Sequence, residues 1–96
     1  MFNLSEQAKA LIEKEIVDIN VRIKCLKHRY DWHDQKIQDL KTELSTERNK
    51  QKQSDLQKQI DKLIEIRHKI AEEIDEEQLL QTFYMQEIGW SPEPKQ

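Results

Sequence analysis

Cys25, His28 and His33 are the side chains whose chemistry best suits metal binding or nucleophilic attack. Cys25 and His28 are three residues apart, a spacing that places a thiol and an imidazole on one face of a helix. They could supply two of the four ligands that a structural zinc ion takes. His33 falls on another face and the chain has no second cysteine, so the other ligands would have to come from a second copy. We therefore predict no metal site and no cofactor.

The chain also lacks the sequence motifs of common enzyme classes. It has no Gly-rich phosphate-binding loop, no nucleophile elbow and no zinc-protease motif. Its nineteen acidic residues are spread over predicted solvent-facing helix surfaces, where carboxylates usually serve solubility. The sequence therefore predicts a protein that is not an enzyme.

Composition restricts the fold to helices. The 96 residues include one Gly, two Pro and one Cys, whereas sheets and compact loops use many Gly and Pro residues in their turns. A disulfide scaffold needs paired cysteines, and a membrane helix needs a run of about 18 apolar residues, which this sequence lacks. The first residues lack the features of a secretory signal, and a single free thiol is typical of a reducing compartment. We expect an all-α cytoplasmic protein without membrane contact.

Two runs of residues at alternating spacings of three and four predict two long helices with a coiled-coil seam. The first run comprises Ile12, Ile16, Ile19, Ile23, Leu26, Tyr30, His33, Ile37, Leu40 and Leu44. The second comprises Leu56, Ile60, Leu63, Ile70, Ile74, Tyr84 and Ile88, with interruptions at Arg67, Glu77 and Gln81. The helices are expected at about residues 4–48 and 55–88 of a single domain.

The connection between the helices is predicted at about residues 49–54. Residues 45–55 contain no apolar side chain, and Ser54 with Gln57 forms a capping box that could begin the second helix. At the far end, Gly89 suits the left-handed conformation that terminates many helices, and Pro92 prevents continuation. Residues 89–96 are expected to form a short tail.

The two runs are mirror images about Lys50. Leu44 and Leu56 are equidistant from it, as are Leu40 and Ile60, and the relation continues outward along both helices. A chain that folds back on itself at Lys50 brings these pairs together. The sequence therefore predicts an antiparallel helical hairpin.

The charge pattern supports the same register. Residues 22–29 carry four basic side chains and no acid, whereas residues 72–77 carry five acids and no base. The mirror relation places these two stretches side by side, with Arg29 and Glu73 at flanking positions. Opposed charges of this kind select partner and register, although each exposed pair contributes only about 0.2–1 kcal/mol.

His33 faces Arg67 in the predicted seam, and this is its one layer of two basic residues. The favoured interpretation is a polar layer that sets the register, with the Arg67 head group turned outward to Asp34 or Asp31. A second interpretation is a pH switch, because a charged His33 beside a permanent cation would loosen the layer.

Apolar residues outside the seam are the best clue to function. They lie on an outward stripe of the first helix, on the outer side of the second and just after Gly89, and they are Val17, Val21, Cys25, Trp32, Leu79, Phe83 and Trp90. One explanation is a homodimer in which two hairpins form a four-helix bundle. The other is a docking face for a different protein, with Trp32 and Phe83 as anchors. Both can hold if separate patches are used.

Charged surfaces suggest an alternative function, a small inhibitor or regulator of nucleic-acid-handling machinery. The acidic stretch could imitate a phosphate backbone, and the predicted turn is basic; the residues concerned are Glu72, Glu73, Asp75, Glu76 and Glu77, and Arg48, Lys50 and Lys52. The formal net charge is only −3 and the turn lacks aromatic residues for base stacking, so direct nucleic-acid binding is not expected.

Overall fold

The computed structural model of this protein describes residues 5–89, which form two long antiparallel helices joined by three residues. Helix α1 spans Glu6–Thr46 and helix α2 spans Lys50–Glu87. The two helices pack against each other in a body of 67 × 25 × 17 Å, about the length of a single 41-residue helix. The prediction of an all-helical hairpin is confirmed for the described residues.

Helix α1 is bounded at both ends by side-chain hydrogen bonds. The Ser5 hydroxyl accepts a hydrogen bond from the Ala8 amide at 3.2 Å, which is the N-cap contact that serine favours. At the other end, the hydroxyl groups of Ser45 and Thr46 donate to backbone carbonyls of the last turn at 2.6 and 3.1 Å. Glu47 then leaves the helix in an extended conformation.

Asn49 begins the second helix. Its side-chain oxygen accepts hydrogen bonds from the amides of Gln51 and Lys52 at 2.9 and 3.3 Å. The Asn49 amide in turn donates to the Glu47 carboxylate at 3.1 Å, and the Gln53 side chain donates to the Glu47 carbonyl at 2.6 Å. These contacts hold the chain reversal within residues 47–49.

The predicted turn at 49–54 and its Ser54 cap are therefore wrong. Residues 50–54 are helical, and Ser54 lies within α2. Lys and Gln are good helix formers, so a polar run at the start of a helix can remain helical while facing solvent. The absence of apolar residues marked an exposed helical turn, whereas the chain reversal itself needed only a capping asparagine.

Helix α2 ends as expected at its glycine. Gly89 has a φ of +66°, the left-handed conformation that glycine adopts without steric penalty. The amides of Ile88 and Gly89 donate to carbonyls of the preceding turn, from Tyr84 and Gln86, at 3.3 and 3.2 Å. The tail beyond, including Trp90 and Pro92, lies outside the described residues.

A cluster of buried residues lies next to the connection. Ile37, Leu40, Leu56 and Ile60 are buried together, and Leu44, Leu63 and Ile64 pack around them. Further along the hairpin the buried residues are Ile19, Ile23, Leu26 and Ile70. Each fully buried aliphatic side chain stabilises the fold by about 1.5–3 kcal/mol, so the seam holds the two helices together.

Candidate interaction surface

Each of the three polar residues that interrupt the second seam has a partner on α1. The contacts join Arg67 to the Asp34 carboxylate, Glu77 to the Arg22 guanidinium, and the Gln81 side chain to the backbone carbonyl of Ile16. In each contact the two residues lie nearly equidistant from Lys50, which confirms the predicted register. Among the described residues, no buried side-chain nitrogen or oxygen lacks a partner.

The basic and acidic stretches meet at Arg22 and Glu77. Arg22 donates to both carboxylate oxygens of Glu77 at 3.1–3.2 Å, and to Glu15 at 3.4 Å. The hydrogen bond to Glu77 is the main reason why the pKa of Arg22 is raised above its ordinary value. The contact that forms is thus one heptad along α1 and one helical turn along α2 from the expected pair of Arg29 and Glu73.

The two basic residues of the predicted polar layer are held separately. Arg67 reaches Asp34, and its guanidinium carbon lies 5.9 Å from the centre of the Tyr30 ring. The Nδ1 atom of His33 donates to the carbonyl of Arg29 at 2.7 Å, four residues back on the same helix. Each side chain therefore has its own partner on α1, and outward placement of the Arg67 head group on Asp34 is confirmed.

The apolar residues outside the seam are exposed. Trp32 is 60% exposed, Phe83 55% and Leu79 72%, and Val17, Val21 and Cys25 are exposed as well. Trp90, the last member of the predicted contact set, lies outside the described residues. The hairpin thus leaves six of the seven candidate residues open to solvent. Val17, Val21, Leu79 and Phe83 lie in its half away from the connection, whereas Cys25 lies at the middle of α1 and Trp32 somewhat nearer the connection.

Two further apolar residues belong to this surface. Ile66 and Leu80 are 41% and 39% exposed, although neither belongs to the predicted contact set. Both lie at the flank of the seam, where a two-helix coil covers a side chain only on one side. Leu11, near the start of α1, is also exposed. The heptad position of Ile66 and Leu80 is the signal that could have identified them.

One open groove on this half combines apolar and charged residues. We call it the charged groove, and it is lined by Val21, Arg22, Cys25, Leu26, Arg29, Glu73 and Glu77. Its basic residues come from α1 and its acidic residues from α2. Arg29 and Glu73 line it as exposed side chains, whereas Arg22 and Glu77 are bound to each other.

The charged residues of the alternative surface lie in two separate places, at the connection and just past the middle of α2. Arg48 lies in the connection, and Lys50 and Lys52 lie in the first turn of α2, all of them exposed. Of the acidic stretch, Glu72 contacts His68 at 3.1 Å and Glu77 is bound by Arg22. The other three members, Glu73, Asp75 and Glu76, are exposed.

Metal ligands do not converge in the described part of the chain. Cys25 and His28 are both exposed, and within residues 5–89 no group of three or more His, Cys, Asp or Glu side chains is arranged to hold a metal ion. Neither α1 nor α2 has an apolar stretch of the length that crossing a membrane requires.

No protein family, curated protein or solved structure matches this chain. Function is therefore inferred from the exposed residues themselves.

Proposed function

We propose that this protein is a non-enzymatic protein–protein interaction module of the cytoplasm. It self-associates as a coiled-coil hairpin, forming a homodimer with a four-helix bundle, and it binds another protein through its outward apolar face. That face comprises Val17, Val21, Cys25, Trp32, Leu79, Phe83 and Trp90, with Trp32 and Phe83 as the anchors.

The observation that carries this proposal is the amount of apolar side chain left in solvent. Among residues 5–89, eight hydrophobic residues are buried and eight large ones are exposed by 39–72%. Isolated exposed apolar residues are ordinary on a protein surface, but a concentration of them in one region is typical of an interaction site. Within residues 5–89 the two helices are the only layer, which leaves these side chains open to a second chain.

The position of the exposed residues supports a binding role over a purely structural one. The half next to the connection has a buried cluster around Ile37 and Ile60, whereas Trp32, Leu79 and Phe83 lie further out. Aromatic residues, phenylalanine included, are enriched at protein–protein interfaces relative to the rest of the surface. Two of the exposed residues, Trp32 and Phe83, are of this kind.

Self-association is tested by light scattering at tens of micromolar protein, where we expect the mass of a dimer.

Binding of another protein is tested by affinity capture from the native host with the wild type, Trp32→Ala, Phe83→Ala and the control Gln38→Ala. Gln38 is exposed on α1 and belongs to none of the candidate surfaces. The same partner should be captured by the wild type and the control and lost with the two aromatic variants. If both aromatic variants still captured this partner, the apolar face would not be the binding site.

The alternative, a regulator of nucleic-acid machinery, depends on the exposed carboxylates Glu73, Asp75 and Glu76 or on the basic residues at the connection. Binding through such charges weakens steeply with salt, because screening and counterion release dominate it. Affinity that falls by several decades between low and moderate salt would support this alternative. Affinity that is nearly constant with salt and lost in Trp32→Ala supports the apolar face.

A further inference from the structure

The charged groove carries opposite charges on its two walls at the same height along the hairpin. Its α1 wall presents Arg22 and Arg29, and its α2 wall presents Glu73 and Glu77. Because Arg22 and Glu77 bind each other, Arg29 and Glu73 are the exposed charges available to a partner. A surface with a base on one helix and an acid on the other can complement a copy of itself.

An apolar pair continues the same face toward the connection. Trp32 follows Cys25 by seven residues, and Ile66 precedes Glu73 by seven, so each lies two turns along on the face that lines the groove. The contact between Asp34 and Arg67 shows that this part of α1 is level with this part of α2. Trp32 and Ile66 therefore lie at similar heights on the two helices, and both are exposed.

Two hairpins can place their charged grooves face to face about a two-fold axis parallel to the helices. Each α1 then lies over the α2 of the partner, and both connections lie at the same end. Residues that are level within one hairpin become level across the interface. Arg29 faces the partner's Glu73, and Trp32 faces the partner's Ile66, so charge and apolar contacts are both complementary.

In a second possible arrangement, also centred on the charged groove, the two-fold axis is perpendicular to the helices and the two connections lie at opposite ends. This arrangement brings like charges together. Each α1 then lies antiparallel over the partner's α1, which places Arg29 near the partner's Arg22. Glu73 comes near the partner's Glu77 in the same way, and Trp32 meets the partner's Asp18. Juxtaposed like charges disfavour an interface, so charge selects the first arrangement.

We propose that the charged groove is the interface with a second copy of this chain, and that the two hairpins pack with their connections at the same end. This inference rests on the proposed self-association and specifies its face and its direction. In this dimer Val21, Cys25 and Trp32 of the outward apolar face contact the second copy. Val17, Leu79 and Phe83, which do not line the charged groove, stay free for another protein, with Phe83 as the anchor.

The relative direction of the two hairpins in the dimer is tested with a spin label at the connection. Arg48→Cys in a Cys25→Ser background places one label per chain, and electron–electron dipolar spectroscopy measures the distance between the two labels of a dimer. With both connections at one end, the distance is far below the 67 Å length of the hairpin. The antiparallel arrangement separates the labels by about 70 Å, since each lies 23 residues from the centre of the groove at about 1.5 Å per residue.

The assignment of the charged groove as the dimer interface is tested by charge reversal, with dimer dissociation measured by sedimentation. Arg29→Glu and Glu73→Arg should each raise the dissociation constant at least about tenfold, and the double variant should return to within about threefold of the wild type. Asp75→Arg is the matched control for Glu73→Arg, because Asp75 is exposed and lines a different groove. Circular dichroism of each variant verifies that the helices remain formed.

The outcomes separate the two proposals. A wild-type chain that stays monomeric at tens of micromolar overturns self-association and this inference with it. A dimer with distant labels, or one whose affinity is unchanged by the Arg29 and Glu73 reversals, overturns only this inference. A dimer with close labels, sensitivity to both single reversals and recovery in the double variant supports it.

Discussion

The guanidinium of Arg22 on α1 binds both carboxylate oxygens of Glu77 on α2, at 3.1–3.2 Å. Glu77 occupies a position of the seam where an apolar residue would pack, and its side chain is only 25% exposed. A carboxylate at this depth is tolerated because an arginine is within reach. The same contact joins the basic stretch of one helix to the acidic stretch of the other and so favours a single register.

Replacing Glu77 by Gln should lower the melting temperature by a few degrees in dilute buffer and by much less in about 1 M salt, because this ion pair is partly exposed and is screened. Thermal unfolding followed by circular dichroism measures both values. The raised pKa of Arg22 stabilises the folded chain at all pH values below the ordinary pKa of arginine, and this stabilisation is lost only above it. The difference between variant and wild type should therefore be the same at about pH 7 and about pH 9. Glu76→Gln, at an exposed neighbour, is the control and should have little effect.

Asn49→Ala should lower the free energy of unfolding by about 1 kcal/mol, since it removes the side chain that accepts from two amides of the first turn of α2. Ser54→Ala should change it by less than about 0.5 kcal/mol, because Ser54 is an exposed residue within the helix. Urea denaturation of the two variants measures both effects. A larger loss of unfolding free energy in Ser54→Ala than in Asn49→Ala would show that Ser54 is the cap.

Ile60→Ala should cost about 2–5 kcal/mol of stability. Ile60 is 1% exposed and belongs to the buried cluster beside the connection, so its truncation leaves a cavity. Leu79→Ala should change stability by no more than about 0.5 kcal/mol, because Leu79 is 72% exposed. Urea denaturation at the same protein concentration compares the two. Similar losses for both would mean that Leu79 is covered in the folded protein.

Gly89→Ala should lower stability by about 1 kcal/mol. A Cβ at this position meets no atom within 4 Å, so the whole effect comes from the left-handed backbone with a φ of +66°. Gly89→Asn should restore part of the loss, because asparagine tolerates this conformation better than alanine. Thermal unfolding of the three proteins provides the comparison. Equal stability of the alanine variant would show that the end of α2 does not limit unfolding.

The periodicity of the apolar residues was sufficient to predict both helices and their register, because a seam that is mirrored about Lys50 has one pairing that covers it. The position of the chain reversal was not predictable in the same way. A polar segment on an exposed helix and a polar loop have the same composition. The structure caps α2 with Asn49, whereas the capping box of Ser54 and Gln57 had predicted a start five residues later.

The candidate surface was predictable in part. Helical spacing placed Val21, Trp32 and Phe83 away from the seam, and all three are exposed. Spacing could not decide how far the flank positions are covered, since this depends on the distance and rotation between the helices. The exposure of Ile66 was therefore not predictable from the sequence. Spacing also could not select Arg22 over Arg29 as the ion-pair partner, because that depends on side-chain reach.

The three-residue connection has a consequence for the order of folding. Closing so short a loop carries little entropic penalty, and the buried cluster of Ile37, Leu40, Leu56 and Ile60 lies directly beside it. Helix pairing should therefore nucleate at the connection and extend outward, leaving the half with Val17 and Phe83 to form last and to open first. A bound partner would hold this half closed, so hydrogen exchange should slow most at the end of the hairpin farthest from the connection.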